Sequence, residues 1–354
     1  MVGFRQMTDF SWPSVLNPLM AGGSLSRHEA HEAMAEVMSG RATESQIAAF
    51  IVAMRAKGES ADEMTGLVEA MLEAAVTVDV GEPVVDTVGT GGDGSGTFNI
   101  STTAGFIAAG AGAKVAKHGN RAASSKTGSA DLLEALGFDL ELEPDATVRM
   151  IREVGFGFFF APRYHPAMRF AGPVRKQLGV RTIFNFLGPL CNPARAEYMA
   201  VGTSDSAMAG LMTEVLKNRG ARFAFVFHGE DGLDELTTTS PSYIYRLKDG
   251  EVTHAEFTPE DFGVPRAKPD DLLGGDVEEN VRITLAILNG ERGPKRDIAM
   301  VNAAPAIVAS GLADGFTEAM TLAEQSIDSG DAAGIIERAL ALTRELSRGE
   351  QRPV

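Results

Sequence analysis

Ile47, Phe50, Ile51 and Met54 recur at helical spacing and form one apolar stripe behind a polar face. The stripe is introduced by Thr43-Glu44-Ser45-Gln46, and two neighbouring segments open in the same way, with Ser26-Arg27-His28-Glu29 and Ser60-Ala61-Asp62-Glu63. Each is a capping box, a hydroxyl residue followed three positions later by Glu or Gln, which satisfies the free N–H groups at a helix start. Gly40 and Gly58 stand where the first two of these helices should stop. Residues 1–76 therefore read as a small helical domain.

Near Gly81 the period changes. Pro83-Val84-Val85-Asp86-Thr87-Val88 is a short β-rich run ending in a glycine cluster, and strand-like and helix-like segments alternate from there on. Lys114-Val115-Ala116 predicts a strand, Ala130 to Leu136 a helix closed by Gly137, 206–218 a longer helix, and Arg222 to Phe227 a strand. This alternation predicts an α/β domain, 77–162 with 196–354, with a mostly parallel central sheet flanked by helices. Residues 163–195, rich in proline, are expected to be connecting structure with short helices packed on the helical domain. Helices at about 316–327 and 331–346 are expected to cover one face of the sheet, and Gly349 to Val354 to fray.

Charge narrows the function. The 354 residues carry a formal net charge of -16, which argues against partners that are polyanions, whether nucleic acid or an anionic membrane. A single cysteine, Cys191, excludes an intrachain disulfide, and no apolar stretch approaches the roughly 20 residues of a membrane span. A cytoplasmic, soluble protein is expected. The acidic residues are unevenly spread. None lies between Asp93 and Asp131, where Lys114, Lys117, Arg121 and Lys126 occur. None lies between Glu153 and Glu197, where Arg163, Arg169, Arg175, Lys176, Arg181 and Arg195 occur. Either these cations converge on a site for a multiply charged anion, or they are solvated surface.

Gly89-Thr90-Gly91-Gly92-Asp93-Gly94 follows the first strand and matches a dinucleotide-binding pattern. That fold needs an acid about 20 residues on for the ribose, which the acid-free window denies, and the Gly-Lys-Ser/Thr ending of a P-loop is missing too. What remains is a strand, a loop rich in backbone N–H groups and a helix start at Ser101 or Thr102, a phosphate or diphosphate cradle. His118, in Lys117-His118-Gly119-Asn120-Arg121, is open to either a proton-transfer or a packing role. At the end of the third strand, Glu230, Asp231, Asp234 and Glu235 make an acidic loop. Beside a phosphate cradle such a loop suits Mg2+, with Asp234 and Glu235 the best pair, although a solvated acidic turn would look the same.

Taken together these motifs resemble the anthranilate phosphoribosyltransferase family. The resemblance rests on Asp86 through Asp93, Thr97-Phe98-Asn99-Ile100-Ser101-Thr102, Lys117 through Gly137, His165-Pro166-Ala167-Met168, Val174-Arg175, Arg181 through Asn185, Leu187 through Leu190, His228 through Leu236 and Asn302-Ala303-Ala304. It runs from about residue 15 to 345. It implies a homodimer assembled through the helical part, and transfer of a phosphoribosyl group from 5-phosphoribosyl 1-diphosphate to the amino nitrogen of anthranilate. By resemblance, Gly89, Gly92, Asp93, Thr97, Asn99, Ser101, Thr102, Lys117 and Ser129 hold the phosphoribosyl diphosphate. Gly89, Asn120, His165 and Arg175 place anthranilate, and Ser101, Asp234 and Glu235 hold Mg2+. No nucleophile or base is assigned. Two alternatives make different demands: a nucleoside phosphorylase-like enzyme would carry Lys-His-Ser-Thr-Gly-Gly in the first loop, and a non-catalytic nucleic-acid-binding paralogue would be basic.

Overall fold

A computed structural model describes residues 10–122 and 126–349 of the chain. Ser124 and Ser125, within the stretch Lys117 through Gly137, and residues 350–354 of the segment Gly349 to Val354 expected to fray lie outside that range. The chain divides into two compact units, one made of Met1–Ala75 with His165–Leu187, the other of Val76–Tyr164 with Gly188–Val354.

The smaller unit is helical. Its first four helices are α1 (Trp12–Met20), α2 (Arg27–Met38), α3 (Glu44–Lys57) and α4 (Ala61–Glu73). All three expected capping boxes form, at Ser26, Thr43 and Ser60, so each of these helices begins where the sequence says it should. Ile47, Phe50, Ile51 and Met54 are buried, as the stripe requires. Gly66 lets α4 approach α2 closely, because a Cβ there would overlap the carbonyl oxygen of Arg27. The last residue of the Ser60 box, Glu63, is fully buried and accepts from Leu25 N at 2.8 Å and from Lys57 Nζ at 2.7 Å. A buried charge is tolerable only when paired and hydrogen-bonded in this way. Within 165–187 short helices occur at Pro166–Arg169, Gly172–Leu178 and Phe184–Leu187.

The larger unit is built on seven strands: β1 (Val85–Gly89), β2 (Val115–Gly119), β3 (Phe156–Phe160), β4 (Tyr198–Gly202), β5 (Phe223–Gly229), β6 (Ser242–Lys248) and β7 (Glu251–Phe257). They are ordered β3-β2-β1-β4-β5-β6-β7, parallel through β5 and antiparallel for the last two. The sheet is thus mostly parallel, as expected, with an antiparallel hairpin added at one edge. Parallel strands buried on both faces read as continuous apolar runs, and Phe156–Phe160 is the clearest case, buried throughout. The helices Ile100–Gly110 and Pro294–Ala309 lie on the strands. The terminal helices Phe316–Asp328 and Asp331–Gly349 were expected to cover the sheet; they pack chiefly on those two helices and on Pro144–Val154, forming an outer layer. The stretch 188–195, expected with the helices, belongs to the larger unit. Asn192 explains why: its Nδ2 donates to Asp86 Oδ2 and to the Ala116 carbonyl, both at 2.7 Å.

Strand order reverses between β1 and β4: from β1 the chain goes to β2 and β3 on one side, then to β4 and β5 on the other. In open α/β sheets this point, at the carboxyl ends of the strands, leaves a crevice where ligands bind. Here β1, β2, β4 and β5 all end in glycine, at Gly89, Gly119, Gly202 and Gly229.

Candidate functional site

The loop leaving β1 turns on glycines. Gly91, Gly92, Gly94 and Gly96 have φ of 67°, 72°, 75° and 71°, the left-handed region where a side chain is strained. Asp93 braces the turn, accepting from Ser95 N at 3.1 Å and Ser95 Oγ at 2.8 Å. Thr97 bridges to Leu273, and Gly274 N donates to the Gly96 carbonyl at 2.9 Å, so the segment after the 3-10 turn Pro269–Leu272 lies along the loop. Sequence reading missed that wall, because the contact joins positions about 175 residues apart and no local pattern marks it.

The helix after the loop runs from Ile100 to Gly110, one residue earlier than expected, with Asn99 at the cap. Asn99 does not cap it with its side chain. Its Nδ2 donates instead to the Thr127 carbonyl at 3.1 Å, while its Oδ1 and the Thr102 hydroxyl are buried without a hydrogen-bond partner. Buried polar atoms are nearly always satisfied, so two orphans beside a phosphate-type cradle are what a missing polar ligand leaves.

Asp234 and Glu235 reach this place from the loop after β5. Asp234 Oδ2 accepts from Gly91 N at 2.6 Å, and Glu235 Oε1 accepts from Ser101 N at 3.2 Å. Two glycines make room for them. A Cβ on Gly89 would overlap the Asp234 carboxylate, and one on Gly202 would overlap its carbonyl oxygen. The other half of the acidic loop has a different task. Asp231 Oδ2 accepts from Thr237 Oγ1 at 2.6 Å and from Thr239 Oγ1, closing the turn, and Glu230 is exposed. Asn302 supports the pair from below: its Oδ1 accepts from Leu236 N at 2.8 Å and its Nδ2 donates to the Leu236 carbonyl at 2.8 Å.

Beneath the loop Lys117 is buried on β2. Its Nζ donates to the Thr87 carbonyl and, at 3.2 Å, to Ser101 Oγ. Burial lowers the Lys117 pKa, and the charges of Asp86, Glu235 and Asp234 oppose the shift. Burial raises Asp234 to about 6, with Asp93 adding to the rise, and it drives Glu235 well above the usual carboxylate range, with Asp234 adding repulsion. Two buried carboxylates beside Asp93, faced by one ammonium, have an excess of negative charge. The donor atoms are all oxygen, the preference of a hard divalent cation. Among the described residues no group of three or more His, Cys, Asp and Glu side chains is arranged to hold a metal, so further ligands would have to be water or substrate oxygens.

Asn120 follows β2 and Ser129 opens the helix Ser129–Leu136, joined by a bond from Ser129 Oγ to the Asn120 carbonyl at 3.2 Å. Asp131 staples the neck of the intervening loop, its Oδ2 accepting from Ala122 N at 3.0 Å and Gly128 N at 2.9 Å. Gly89, Gly92, Asp93, Thr97, Asn99, Ser101, Thr102, Lys117, Asn120, Ser129, Asp234 and Glu235 thus belong to one unit, around the carboxyl ends of β1, β2 and β5. His165 and Arg175 belong to the helical unit. There His165 is buried, and Arg175 lies over the Phe184 ring at 5.2 Å with its pKa lowered by burial.

Within the larger unit, three cations of the basic windows are engaged away from the carboxylate pair. Arg121 pairs with Asp131 at 3.1 Å and Glu134 at 2.7 Å, Arg163 pairs with Glu143 at 2.6 Å, and Lys114 Nζ donates to the Arg152 carbonyl at 2.7 Å. The acids flanking each window fold back onto it, which linear spacing hides. Lys117 alone of the first window's four cations is buried among the site's carboxylates.

Comparison with known proteins agrees with this architecture. Residues 13–75 match the model of the glycosyl transferase family, helical bundle domain, and residues 81–333 that of the glycosyl transferase family, a/b domain. The chain is 51% identical to the anthranilate phosphoribosyltransferase of Moorella thermoacetica over 92% of its length and 96% of the relative's. It is 42% identical to the crystal structure of anthranilate phosphoribosyltransferase from Thermus thermophilus, with a TM-score of 0.89 and coverage of 93% and 99% of the two chains. The Saccharomyces cerevisiae anthranilate phosphoribosyltransferase, solved in complex with PRPP and Mg, is 26% identical, with a TM-score of 0.87 and coverage of 96% and 100%.

Proposed function

The chain belongs to the anthranilate phosphoribosyltransferase family, and from that premise we propose how its own residues carry the reaction. The enzyme transfers the 5-phosphoribosyl group from 5-phosphoribosyl 1-diphosphate to the amino nitrogen of anthranilate and releases pyrophosphate, the second step of tryptophan synthesis from chorismate. The cofactor is Mg2+.

Breaking the bond from C1 to the diphosphate leaves negative charge on the departing oxygens and an electron-poor ribosyl carbon, and anthranilate's amine is itself the nucleophile. No protein nucleophile is required, and none is assigned. The work of the protein is to hold the diphosphate among fixed donors where that charge develops. Gly89, Gly92 and Asp93 shape the loop, Thr97, Asn99, Ser101 and Thr102 line it, and Ser129 stands across from it. Lys117 acts from beneath: bonded to Ser101 Oγ, it orients that hydroxyl and offsets the carboxylates. Ser101, Asp234 and Glu235 would hold Mg2+, which when bound supplies neutralisation of the diphosphate charge. Gly89 and Asn120 in the larger unit and His165 and Arg175 in the helical unit are assigned to anthranilate, with Arg175 pairing its carboxylate. A homodimer assembled through the helical unit, a cytoplasmic location and no nucleic-acid or membrane partner complete the proposal.

The observation that carries these assignments is the buried pair Asp234 and Glu235, tied to the amides of the glycine loop and of the helix start. Asp234→Ala combined with Glu235→Ala should abolish pyrophosphate release while anthranilate binding, followed by calorimetry, changes little. Full activity in that double variant would remove the metal assignment.

A further inference from the structure

His228 is the next-to-last residue of the apolar strand β5, and no step of the transfer uses it. The residue is only 8% exposed. Its Nδ1 lies 2.8 Å from the Thr203 carbonyl oxygen, which can only accept. Nδ1 therefore carries the proton, and in the neutral ring Nε2 keeps a lone pair for an outside donor. The ring lines a cavity of about 580 Å³, within the range of small-molecule sites.

Cross-strand register builds the walls. His228 stands opposite Tyr243, and Tyr243 opposite Glu256. Two residues along, Val226, Tyr245 and His254 form the next row of the same face, because side chains alternate with period two along each strand. The Tyr245 and His254 rings stack with centroids 5.6 Å apart and planes 28° from parallel. Tyr243 is 39% exposed, on a face where an edge hairpin would ordinarily place polar side chains. Opposite, the first turns of the helix Ser206–Asn218 contribute only the small side chains of Ser206, Ala207 and Ala209. The result is a space with aromatic faces and the His228 ring in its wall.

We propose that this cavity is a second ligand site, for a small planar aromatic compound carrying an N–H donor. The ring of the ligand packs on Tyr243 and on the Tyr245–His254 stack, and its N–H donates to His228 Nε2. The site is separate from the carboxylate pair yet connected to the glycine loop. Thr203, which holds His228, precedes Ser204, whose N donates to Thr90 Oγ1 at 3.1 Å and whose hydroxyl donates to the Gly91 carbonyl at 3.3 Å.

The test uses the full chain and two probes of closely similar outline, indole and benzofuran, which has a ring oxygen in place of the N–H. Calorimetric titration should find saturable binding of indole, about tenfold tighter than benzofuran, the effect of one hydrogen bond. Saturating anthranilate should leave it unchanged. Tyr243→Ala, which touches none of the transfer machinery, should weaken indole binding at least about fivefold while the transfer rate holds. No saturable binding, equal affinity for the two probes, displacement by anthranilate, or full binding by Tyr243→Ala would each overturn the proposal. None of these outcomes bears on the transfer reaction, which is measured without either probe.

Discussion

Replacing Asn302 by alanine removes a support that touches no substrate. The Asn302 amide holds both backbone groups of Leu236, accepting from N and donating to O at 2.8 Å each, where Leu236 is fully buried. Asn302→Ala leaves a buried N–H and a buried C=O without partners. Each costs about 1–3 kcal/mol, so the loss of stability is about 2–6 kcal/mol, with the low end reached if water enters the space. The bond from Nδ2 to the Ile298 carbonyl adds little, since that oxygen remains inside a helix. Leu236 is bonded to Glu235, so the freed backbone also loosens the carboxylate pair. The concentration of Mg2+ giving half-maximal turnover should therefore rise about tenfold, equivalent to ~1.4 kcal/mol. Urea unfolding followed by circular dichroism reads the first quantity, and initial rates across a Mg2+ titration read the second. A variant that loses under about 1 kcal/mol and keeps its Mg2+ dependence would refute the idea that Asn302 sets the position of the pair.

Gly202→Ala tests the crowding at the end of β4: the added methyl would overlap the Asp234 carbonyl oxygen, so the acidic loop must move. A displacement near 1 Å costs about a hundredfold in rate, which steady-state kinetics would detect; near-normal kcat/KM would contradict the geometry. Asp86 gives the expected pH dependence. Burial raises its folded pKa from 3.8 to about 6, so the folded state holds the proton more tightly than the unfolded chain does. The stability this contributes is present below about pH 4 and is lost as pH rises through 6, a change of about 3 kcal/mol. Thermal unfolding of Asp86→Asn should accordingly be flatter than wild type between those values; an unchanged pH profile would show that Asp86 does not titrate there.

Local chemistry made much of the fold legible. Capping boxes locate helix starts because they are closed within four residues, the helix 206–218 is legible as a helical run, and strands β1, β2 and β5 are legible as short β-rich runs. The all-apolar run Phe156–Phe160 and the half-exposed hairpin of β6 and β7 lack a period that separates strand from short helix, so tertiary pairing decides them. At the site, the glycine loop and the acidic pair were visible as types in sequence. What could not be seen was long-range: Asn302 under Leu236, Gly202 beneath Asp234, the 269–276 segment along the loop, and the acids that neutralise Arg121 and Arg163. Charge gaps in a sequence say nothing about the acids just outside them.

Anthranilate is fluorescent, and attachment of a ribosyl group to its nitrogen removes that signal as substrate is consumed. Purified protein mixed with anthranilate, 5-phosphoribosyl 1-diphosphate and Mg2+ should extinguish the fluorescence in a time-dependent manner. Omission of the diphosphate or of divalent cation should leave it steady. Persistent fluorescence with well-folded protein and all three components present would contradict the assignment of phosphoribosyl transfer.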